Sequence, residues 1–514
     1  MKVSEISYQE TNKFSNLILD YLKKDKKLRP FVNHFPSLEN FESQITEKKT
    51  QSIDRMILLD VLNKQNASLS LSEKSKLNIE SLKDNSTFTL TTGHQLCLFT
   101  GPLYFIYKIV STINLVEQLE EKYPNNNFVP IFWMATEDHD FQEINHIHIF
   151  GKKIAWDSKQ SGAVGRMSLD GFESLLSELK SVLGLSKNAV KLISLFEKSY
   201  LNHDNLADAT RYLVNELFGK YGLVILDGDE KRLKEQFIST IKKDVLRNGF
   251  LKSITKCSED LASKYNAQAY VRSINFFKLS DGKRVLIKSK ISEKEIENNP
   301  FCFSPNVLLR PLYQETILPN IGYIGGGAEV AYWMQLKTAF QQEKIPFPIL
   351  ILRNSVLFMD NKQNQKRLAL GFTLNDLFLE EHQLQKKFVL NQHNADVSLD
   401  DEKDTVESLY ESITAKTNDV GLQNSIKSQQ QKQLKYFKQV EDKLLRLAKQ
   451  KNENSLNQIR KLKLQLFPNN SLQERYDNFI PFYLNSGDNF IKILKNNLNP
   501  LNPNFVVLNS KLKS

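Results

Sequence analysis

Cysteine is scarce in this chain, and long apolar runs are missing. Cys97, Cys257 and Cys302 are the only cysteines among 514 residues, and they are far apart. Such spacing forms neither a disulfide framework nor a Cys-x-x-Cys zinc motif. No run approaches the 18 apolar residues of a membrane-spanning helix, and the first residues include no apolar signal-peptide core. The sequence therefore predicts a cytoplasmic protein that has no membrane partner.

Basic residues are in excess, but the excess is local. The chain has 69 Lys and Arg against 59 Asp and Glu, a formal charge of +10. Between positions 425 and 465 there are 11 basic residues and 3 acidic ones. A solvated helix face is the favoured interpretation of this segment, and binding of anionic substrates or nucleic acid is the alternative. We predict no nucleic-acid partner.

The length of the chain predicts two or three domains rather than one core. An apolar content of 40% and an aromatic content of 10% are typical of a folded protein. We predict a core over residues 1–373, with helices over about 1–85 and insertions at about 151–220 and 255–300. A helical arm over 374–467 and a tail over 468–514, docked on the core, complete the expected organisation.

Four strand-like runs alternate with helical segments in the predicted core. They cover residues 88–92, 128–135, 222–226 and 346–352, and an amphipathic helix is predicted over 103–122 between the first two. Each run ends in polar or charged residues. This alternation predicts an α/β fold with a Rossmann-like parallel sheet, whose ligands bind beyond the carboxyl ends of the strands.

The predicted arm has the spacing of a coiled coil. Val406, Leu409 and Ile413 recur at intervals of three and four, and a similar pattern continues over residues 434–447. An interruption at residues 418–421 favours an antiparallel helical hairpin. Such an arm mediates self-association or packs back on its own core.

A polar cluster follows the second strand-like run. It consists of Glu137, Asp138, His139, Asp140, Glu143, His146 and His148. Three interpretations are open: ligands of a catalytic metal, caps and first-turn acids of a helix, or a substrate or nucleotide site. The spacing matches none of the compact zinc motifs, and we predict no metal. In the third interpretation, carboxylates hold an ammonium group and histidine transfers protons or donates to an oxyanion.

Two glycine-containing turns are candidates for ligand binding. Gly93-His94-Gln95, with Gly101 further on, follows the first predicted strand, and Gly325-Gly326-Gly327 begins a predicted helix. Neither is a Walker A loop. Each can bring an anion close to the backbone and a helix N-terminus, or can simply form a turn.

Several other side chains close to these loops are candidates. Arg310 and Arg353 suit a carboxylate or a phosphate, although each could equally form an internal ion pair. Lys108 and Lys337 add positive charge near the same loops. Cys97 is interpreted as a small apolar filler rather than as a nucleophile activated by His94.

These residues also carry a resemblance to a known family. The motifs are Thr92-Gly93-His94-Gln95, Phe99-Thr100-Gly101-Pro102-Leu103-Tyr104, Tyr107-Lys108, Phe132-Trp133, Glu137-Asp138-His139-Asp140-Phe141, Glu143, Asn145-His146, Ser304-Pro305-Asn306, Leu309-Arg310-Pro311, Tyr332-Trp333, Gln335, Leu466-Phe467-Pro468 and Ser471-Leu472-Gln473-Glu474-Arg475. Together they resemble the bacillithiol biosynthesis cysteine-adding enzyme over nearly the whole chain. Two departures are His94, where the family usually has Gln, and Gly325-Gly326-Gly327-Ala328-Glu329, where it has Gly-Gly-Pro-Gly-Glu.

The resemblance implies a ligase that joins cysteine to glucosaminyl malate, the last step to bacillithiol. It also implies a Rossmann-like core, a coiled coil that forms a homodimer, and use of ATP or ADP. Amide formation requires an activated carboxylate, so cysteine would become an acyl phosphate or acyl adenylate. We predict catalytic roles for His94, Asp138, His139 and Asp140. Predicted substrate-binding residues are Gln95, Lys108, Glu137, Asn145, His146, Arg310, Gln314, Tyr332 and Arg353, and predicted nucleotide-binding residues are Gly93, Gly101, Gly325, Gly326 and Gly327.

Two other functions remain as alternatives from sequence. The first is a metal-dependent hydrolase that uses His139, Asp140 and His146. The second is a non-catalytic binding protein built on the basic coiled coil. Each explains one segment, whereas the ligase hypothesis accounts for motifs along the whole chain.

Overall fold

The computed structural model describes residues 1–280 and 282–509. The strands are β1 (Lys2–Ser7), β2 (Thr87–His94), β3 (Asn127–Met134), β4 (His146–Ile149), β5 (Lys152–Ala155), β6 (Val224–Asp227), β7 (Phe276–Ser280), β8 (Lys283–Leu286), β9 (Phe303–Pro305), β10 (Asn320–Gly325), β11 (Ile349–Leu352), β12 (Val356–Met359) and β13 (Asn504–Asn509).

Helices make up most of the remaining structure. They are α1 (Asn16–Leu22), α2 (Asn40–Lys48), α3 (Arg55–Gln65), α4 (Glu73–Ser81), α5 (Tyr104–Lys122), α6 (Phe141–Ile144), α7 (Phe172–Leu183), α8 (Lys187–Leu201), α9 (Leu206–Phe218), α10 (Lys231–Glu235), α11 (Ile238–Arg247), α12 (Leu251–Ala262), α13 (Glu293–Asn298), α14 (Arg310–Ile317), α15 (Gly327–Met334), α16 (Lys337–Glu343), α17 (Asn361–Ala369), α18 (Glu381–Val397), α19 (Asp400–Thr414), α20 (Val420–Lys451), α21 (Glu453–Leu466), α22 (Ile480–Ser486) and α23 (Asn489–Asn497). None of the helices within the described ranges is long and apolar enough to cross a membrane.

A five-stranded parallel sheet forms the centre of the fold. Its strand order is β11-β10-β2-β3-β6. The chain proceeds from β2 outwards to β3 and β6, then returns to the other side of β2 for β10 and β11. This reversal makes the space beyond β2 and β10 the switch point at which Rossmann-like sheets bind ligands. The predicted Rossmann-like class is confirmed, and each of the four predicted strands is present.

Sequence reasoning missed β10, which pairs with β2 in the central sheet. Gly322 and Gly325 interrupt its apolar residues, and glycine weakens a strand pattern. A Cβ on Gly322 would lie 3.1 Å from Cδ1 of Ile351 on the neighbouring strand, so glycine allows close packing at this position. The same glycines weaken the apolar pattern from which a strand is predicted.

The apolar run of β3 is explained by burial on both faces of the sheet. Trp133 packs edge-on against Tyr313 of α14, with ring centroids 5.5 Å apart. On the opposite face Phe132 packs against Phe105 of α5 at 5.2 Å. Continuous apolar sequence is typical of a parallel strand that is covered by helices on both sides.

The amino-terminal segment differs from the prediction of helices throughout residues 1–85. Its first element is β1, which pairs in antiparallel fashion with β13 at the other end of the chain, while β12 pairs with β13 in parallel. This pairing is the most non-local in the chain, so no local pattern predicts it. The three-stranded sheet joins the two ends of the chain to each other.

Helices α19 and α20 form the predicted coiled-coil hairpin. α19 and α20 pack against each other and are joined by the short connection 415–419. The break in the apolar pattern at residues 418–421 coincides with this connection. The sequence after α21 returns to the core through α22, α23 and β13.

Candidate active site

A cavity of about 880 Å³ opens at the carboxyl edge of the central sheet. Residues at or just beyond the ends of all five strands line it: His94, Met134, Gly228, Gly326 and Arg353. The sequence prediction that the polar strand ends lie close together therefore corresponds to a single site at the switch point.

Some of the site residues predicted from sequence line the cavity, and others do not. Those that line it are Gly93, His94, Gln95, Lys108, Glu137, Asp138, Arg310, Gly326, Gly327, Tyr332 and Arg353. Those outside its lining are Gly101, His139, Asp140, Asn145, His146, Gln314 and Gly325.

Lys108 joins the two strands on either side of the switch point. Its ammonium donates to the carbonyl oxygen of Gly93 at 2.9 Å and lies 2.5 Å from a carboxylate oxygen of Glu329. Gly93 belongs to β2, whereas Glu329 lies in the first turn of α15, which follows β10. The buried lysine therefore links the end of β2 to the first turn of α15.

Glu329 is held ionised by its surroundings. Burial alone would raise its pKa, but the Lys108 charge and hydrogen bonds from Lys108, the Gly326 N–H and Tyr323 lower the pKa to about 2. The Gly326 N–H donates at 2.8 Å and the Tyr323 hydroxyl at 2.7 Å. Sequence reasoning named the glycine turn but did not assign a role to Glu329. The signal was available, because an acid three residues after an N-cap position is typical of a helix start.

His94 is a neutral ring in this structure. Burial, followed by the charge of Lys108, lowers its pKa to about 3. The imidazole stacks on Tyr104 with ring centroids 5.2 Å apart. Its Nε2 atom is buried and makes no hydrogen bond within the described residues. A neutral imidazole next to a ligand cavity is a weak base but can donate or accept one hydrogen bond.

Cys97 is buried beside His94, with its sulfur 3.9 Å from Nδ1. Burial raises the pKa of the thiol to about 12. A thiolate is therefore strongly disfavoured, in agreement with the interpretation of Cys97 as an apolar filler.

Gln95 connects the ends of β2 and β3. Its amide nitrogen donates to Asp138 at 2.7 Å and to Glu143 at 2.7 Å. Asp138 also faces Arg284, at 3.8 Å from its guanidinium. Arg284 is held in place by Phe277, since its guanidinium carbon lies 4.2 Å from the centroid of that ring. Arg284 comes from β8, within the segment 255–300 that is predicted as an insertion, and no pattern in the sequence indicates that it faces the strand ends.

A buried ion cluster lies behind this acidic side. Lys234 contacts Glu137 at 2.5 Å and Asp229 at 3.2 Å. Burial opposes the charged ammonium, but the two carboxylates outweigh it and raise the pKa of Lys234. Glu137 is thus engaged by a neighbour that sequence reasoning missed, because α10 supplies it from nearly a hundred residues away.

Arg310 occupies an aromatic cage on the other side of the cavity. Its guanidinium carbon lies 5.5 Å from the ring centroid of Tyr323, 5.8 Å from Trp133 and 5.9 Å from Trp333. Nη1 donates to Gln314 at 2.9 Å. Nη2 is buried and has no hydrogen-bond partner among the described residues. Aromatic contacts hold the plane of the guanidinium while leaving donor capacity for a ligand.

Arg353 is more fully engaged. It forms an ion pair with Glu474 at 2.8 Å, and Nη1 donates to the carbonyl oxygen of Asn354 at 3.0 Å. Its guanidinium carbon lies 5.1 Å from the ring centroid of Tyr104. Arg353 therefore borders the cavity as part of an internal ion pair, one of the two roles considered from sequence.

The acidic and histidine cluster after β3 separates in space. His139 is half exposed at the rim, where Nδ1 lies 3.2 Å from Arg284 Nη1. Asp140 is exposed and precedes α6, without a side-chain cap on that helix. Asn145 and His146 contact each other at 3.1 Å outside the cavity lining. Among the side chains that the structure describes, which leave out those of residues 281, 393–396 and 510–514, no three or more His, Cys, Asp or Glu form a group suited to a metal ion. The ligand set of the hydrolase alternative is thus not assembled there.

A segment from the C-terminal part of the chain, residues 473–478, packs against the turn after β2. Asn478 donates to the carbonyl oxygens of Phe99 at 2.9 Å and Gly101 at 2.6 Å. The carbonyl of Asp477 accepts from the Leu103 N–H at 2.8 Å. These contacts fix the turn that leads into α5, although more than 370 residues separate the partners in sequence.

We expect Asp477→Asn to stabilise the protein at alkaline pH. Burial raises the pKa of the Asp477 carboxyl to about 7, whereas the unfolded chain ionises it near pH 4. The folded state therefore loses stability as pH rises from about 4 to 7, by at most about 4 kcal/mol. Asparagine does not ionise, so its Tm should exceed that of the wild type at pH 8 and approach it at pH 4.

The measurement is thermal unfolding of both proteins across this pH range. Asp204→Asn, at an exposed position, is the matched control and should shift Tm equally at all pH values. A Tm difference for Asp477→Asn that is the same at pH 4 and pH 8 would contradict the expectation.

Comparison with known proteins gives one family for both parts of the chain. The family model "Bacillithiol biosynthesis BshC, N-terminal Rossmann-like domain" matches residues 1–354, and "Bacillithiol biosynthesis BshC, C-terminal coiled-coil domain" matches residues 356–510. A Christiangramia forsetii protein named "Putative cysteine ligase BshC" is 44% identical over 99% of both chains. A protein of the same name from Flavobacterium johnsoniae is 43% identical over 98% of this chain and 99% of its own. Another, from Flavobacterium psychrophilum, is 44% identical over 98% of both chains.

Proposed function

We propose, because the chain belongs to the BshC family of bacillithiol biosynthesis, that it is a cysteine ligase. In the proposed reaction the carboxyl carbon of cysteine forms an amide with the amine of glucosaminyl malate. This is the last step to bacillithiol in the family that the sequence resembles.

The observation that carries the proposal is that one cavity holds both acidic and basic side chains. Glu137, Asp138 and Asp229 lie towards β3 and β6, where Arg284 faces Asp138. Arg310, Arg353 and the pair of Lys108 with Glu329 lie towards β2, β10 and β11. An amide-forming enzyme of this kind must hold ammonium or amine groups together with carboxylates, and a cavity with groups of both charges suits this requirement.

ATP is the proposed third substrate, because a free carboxylate is a poor electrophile. Gly326 and Gly327 line the cavity where α15 begins, and a helix N-terminus favours an anion such as a phosphate. Lys108 neutralises Glu329 at that place, which lessens the repulsion of an incoming anion. Arg310 offers an unpaired buried donor on the same side.

Asp138 is the proposed group for the amine. Its carboxylate lines the cavity and is oriented by Gln95, so it can hold an ammonium or accept the proton that the attacking amine releases. His94, with its pKa of about 3, is better suited to donate a hydrogen bond to the developing oxyanion than to act as a base.

Homodimer formation through the helical arm and a cytoplasmic location are part of the same proposal. The arm carries exposed apolar side chains, among them Leu409, Leu422 and Tyr436. Cys97, Cys257 and Cys302 are free within the described part of the chain, which is typical of a reducing compartment.

The test is incubation of the purified protein with cysteine and glucosaminyl malate, with and without ATP. The product is measured by mass spectrometry after thiol labelling, and we expect it only when ATP is present. Asp138→Asn should lower kcat by about 100-fold or more, because general acid–base groups contribute rate factors of that size. Asp204→Asn, exposed and outside the cavity lining, is the matched control.

Two results would count against this assignment. Absence of product under every nucleotide condition would contradict the ligase function. Normal turnover by Asp138→Asn would contradict the role of the carboxylate while leaving the ligase function intact.

A further inference from the structure

One residue of the cavity lining, Arg475, comes from the C-terminal part of the chain, and the other lining residues lie between Gly93 and Arg353. The motif Ser471–Arg475 belongs to the family resemblance, which assigns it no role. In the structure this motif reaches the edge of the central sheet.

The residues on either side of Arg475 hold it in place. Glu474 forms the buried ion pair with Arg353 and also accepts from the Ser355 hydroxyl at 3.0 Å and the Val356 N–H at 2.9 Å. On the other side Tyr476 stacks on His148, with ring centroids 4.1 Å apart. The backbone of Arg475 is therefore fixed from both directions, and it closes a short 3₁₀ turn over residues 473–475.

The side chain of Arg475, in contrast, is unengaged. Lys108 and Arg353 are each committed to a carboxylate of the protein. Within residues 1–280 and 282–509, the guanidinium of Arg475 has neither a hydrogen bond nor an ion pair, and the residue is exposed. A guanidinium carries five donors in a planar fork that matches the oxygens of carboxylate and phosphate.

Arg475 lines the same cavity as Tyr104. Tyr104 stacks on His94, with ring centroids 5.2 Å apart, and its ring centroid lies 5.1 Å from the guanidinium carbon of Arg353. Arg475 therefore belongs to the same cavity lining as His94, Tyr104 and Arg353.

We infer that Arg475 binds an oxyanionic group of a substrate, so that residues 473–478 complete the active site from the C-terminal domain. The inference rests on the proposed function for the identity of the ligands. The oxyanion is either a carboxylate of the malate moiety or a phosphate of ATP, and the two sources share the chemistry that a guanidinium recognises.

The experiment measures equilibrium binding by calorimetry, with glucosaminyl malate and ATP titrated separately into each protein. The variants are Arg475→Gln and Arg475→Lys, and Arg247→Gln at an exposed position outside the cavity lining is the matched control. We expect Arg475→Gln to raise the Kd of one ligand by about 10-fold or more, since hydrogen bonds to charged groups contribute on that scale. Arg475→Lys should give a smaller increase, because it keeps the charge but not the fork.

The two ligands distinguish the two sources. Loss of affinity for glucosaminyl malate assigns Arg475 to a carboxylate, and loss of affinity for ATP assigns it to a phosphate. A Kd within about twofold of the wild type for both ligands would overturn the inference. The Tm of Arg475→Gln should equal that of the wild type, which excludes misfolding as the cause of a loss.

Failure of this inference is separable from failure of the ligase proposal. If the wild type forms product and Arg475→Gln binds both ligands normally, only the inference is wrong. If the wild type forms no product but Arg475→Gln still loses affinity for one ligand, the anion site stands and the ligase proposal is wrong. A wild type that binds neither ligand overturns both.

Discussion

Lys108→Met is expected to remove nearly all activity and to destabilise the protein. The ammonium is the contact between the β2 end, through the Gly93 carbonyl, and the first turn of α15, through Glu329. Its loss leaves the partly buried Glu329 carboxylate without the countercharge that lowers its pKa. Breaking one half of a buried pair costs about 3–5 kcal/mol, and the turns that shape the cavity would move. We expect kcat/KM to fall by about 100-fold or more.

A double-mutant cycle separates the charge from the geometry. Glu329→Gln removes the charge and keeps one oxygen to accept from the Gly326 N–H, while its amide NH2 can donate to the Tyr323 hydroxyl oxygen. Lys108→Met combined with Glu329→Gln leaves no unpaired charge, so it should recover much of the stability that Lys108→Met loses. Activity should remain low if Lys108 also contacts substrate.

The readouts are chemical unfolding and steady-state kinetics of the single and double variants. A Lys108→Met protein with wild-type stability and turnover would contradict the role of this pair. Equal stability losses in the single and double variants would show that the two charges are not coupled.

Glu474→Ala is expected to give the largest loss of stability outside the central sheet. Its carboxylate is inaccessible to solvent, and its partner Arg353 is only 5% exposed. It also accepts from the Ser355 hydroxyl and the Val356 N–H, just beyond β11. The alanine variant leaves a buried guanidinium and a buried N–H without their acceptor, at a cost of about 3–5 kcal/mol.

Removing both charges of the ion pair together should cost less stability than Glu474→Ala. Arg353→Met combined with Glu474→Gln removes both charges but keeps an oxygen to accept from the Val356 N–H. We expect its urea midpoint to lie well above that of Glu474→Ala and near that of the wild type. Glu216→Ala, at an exposed position on α9, is the control and should unfold close to the wild type. A Glu474→Ala midpoint equal to the wild type would contradict a stabilising role for the link between the C-terminal segment and the core.

The prediction from sequence succeeded where a property is local. Apolar runs that end in polar residues identified four strands of the central sheet, and the interruption at residues 418–421 identified the hairpin of the arm. β10 escaped detection because Gly322, which packs closely on Ile351, weakens its apolar pattern. β1 escaped because its pairing partner is β13, some 500 residues away.

The candidate site was predicted only in part, because sequence patterns indicate local positions and not contacts between distant segments. Gln95, Asp138 and Lys108 were identified because they follow strand ends or lie on the helix between them. Asp140 and His146 were grouped with Asp138 by proximity in sequence, but α6 and β4 lead the chain away from the cavity. Arg284 reaches the site from β8, far from the strand ends in sequence, and no spacing rule reveals this.

The measurement that most directly tests carboxylate activation uses L-cysteine labelled with oxygen-18 in its carboxyl group. The labelled substrate is incubated with the protein, glucosaminyl malate and ATP, and the phosphate-containing products are analysed by mass spectrometry. The ligase proposal predicts that one labelled oxygen appears in inorganic phosphate or in AMP for each amide formed. Amide formation that releases the label into water instead would contradict it.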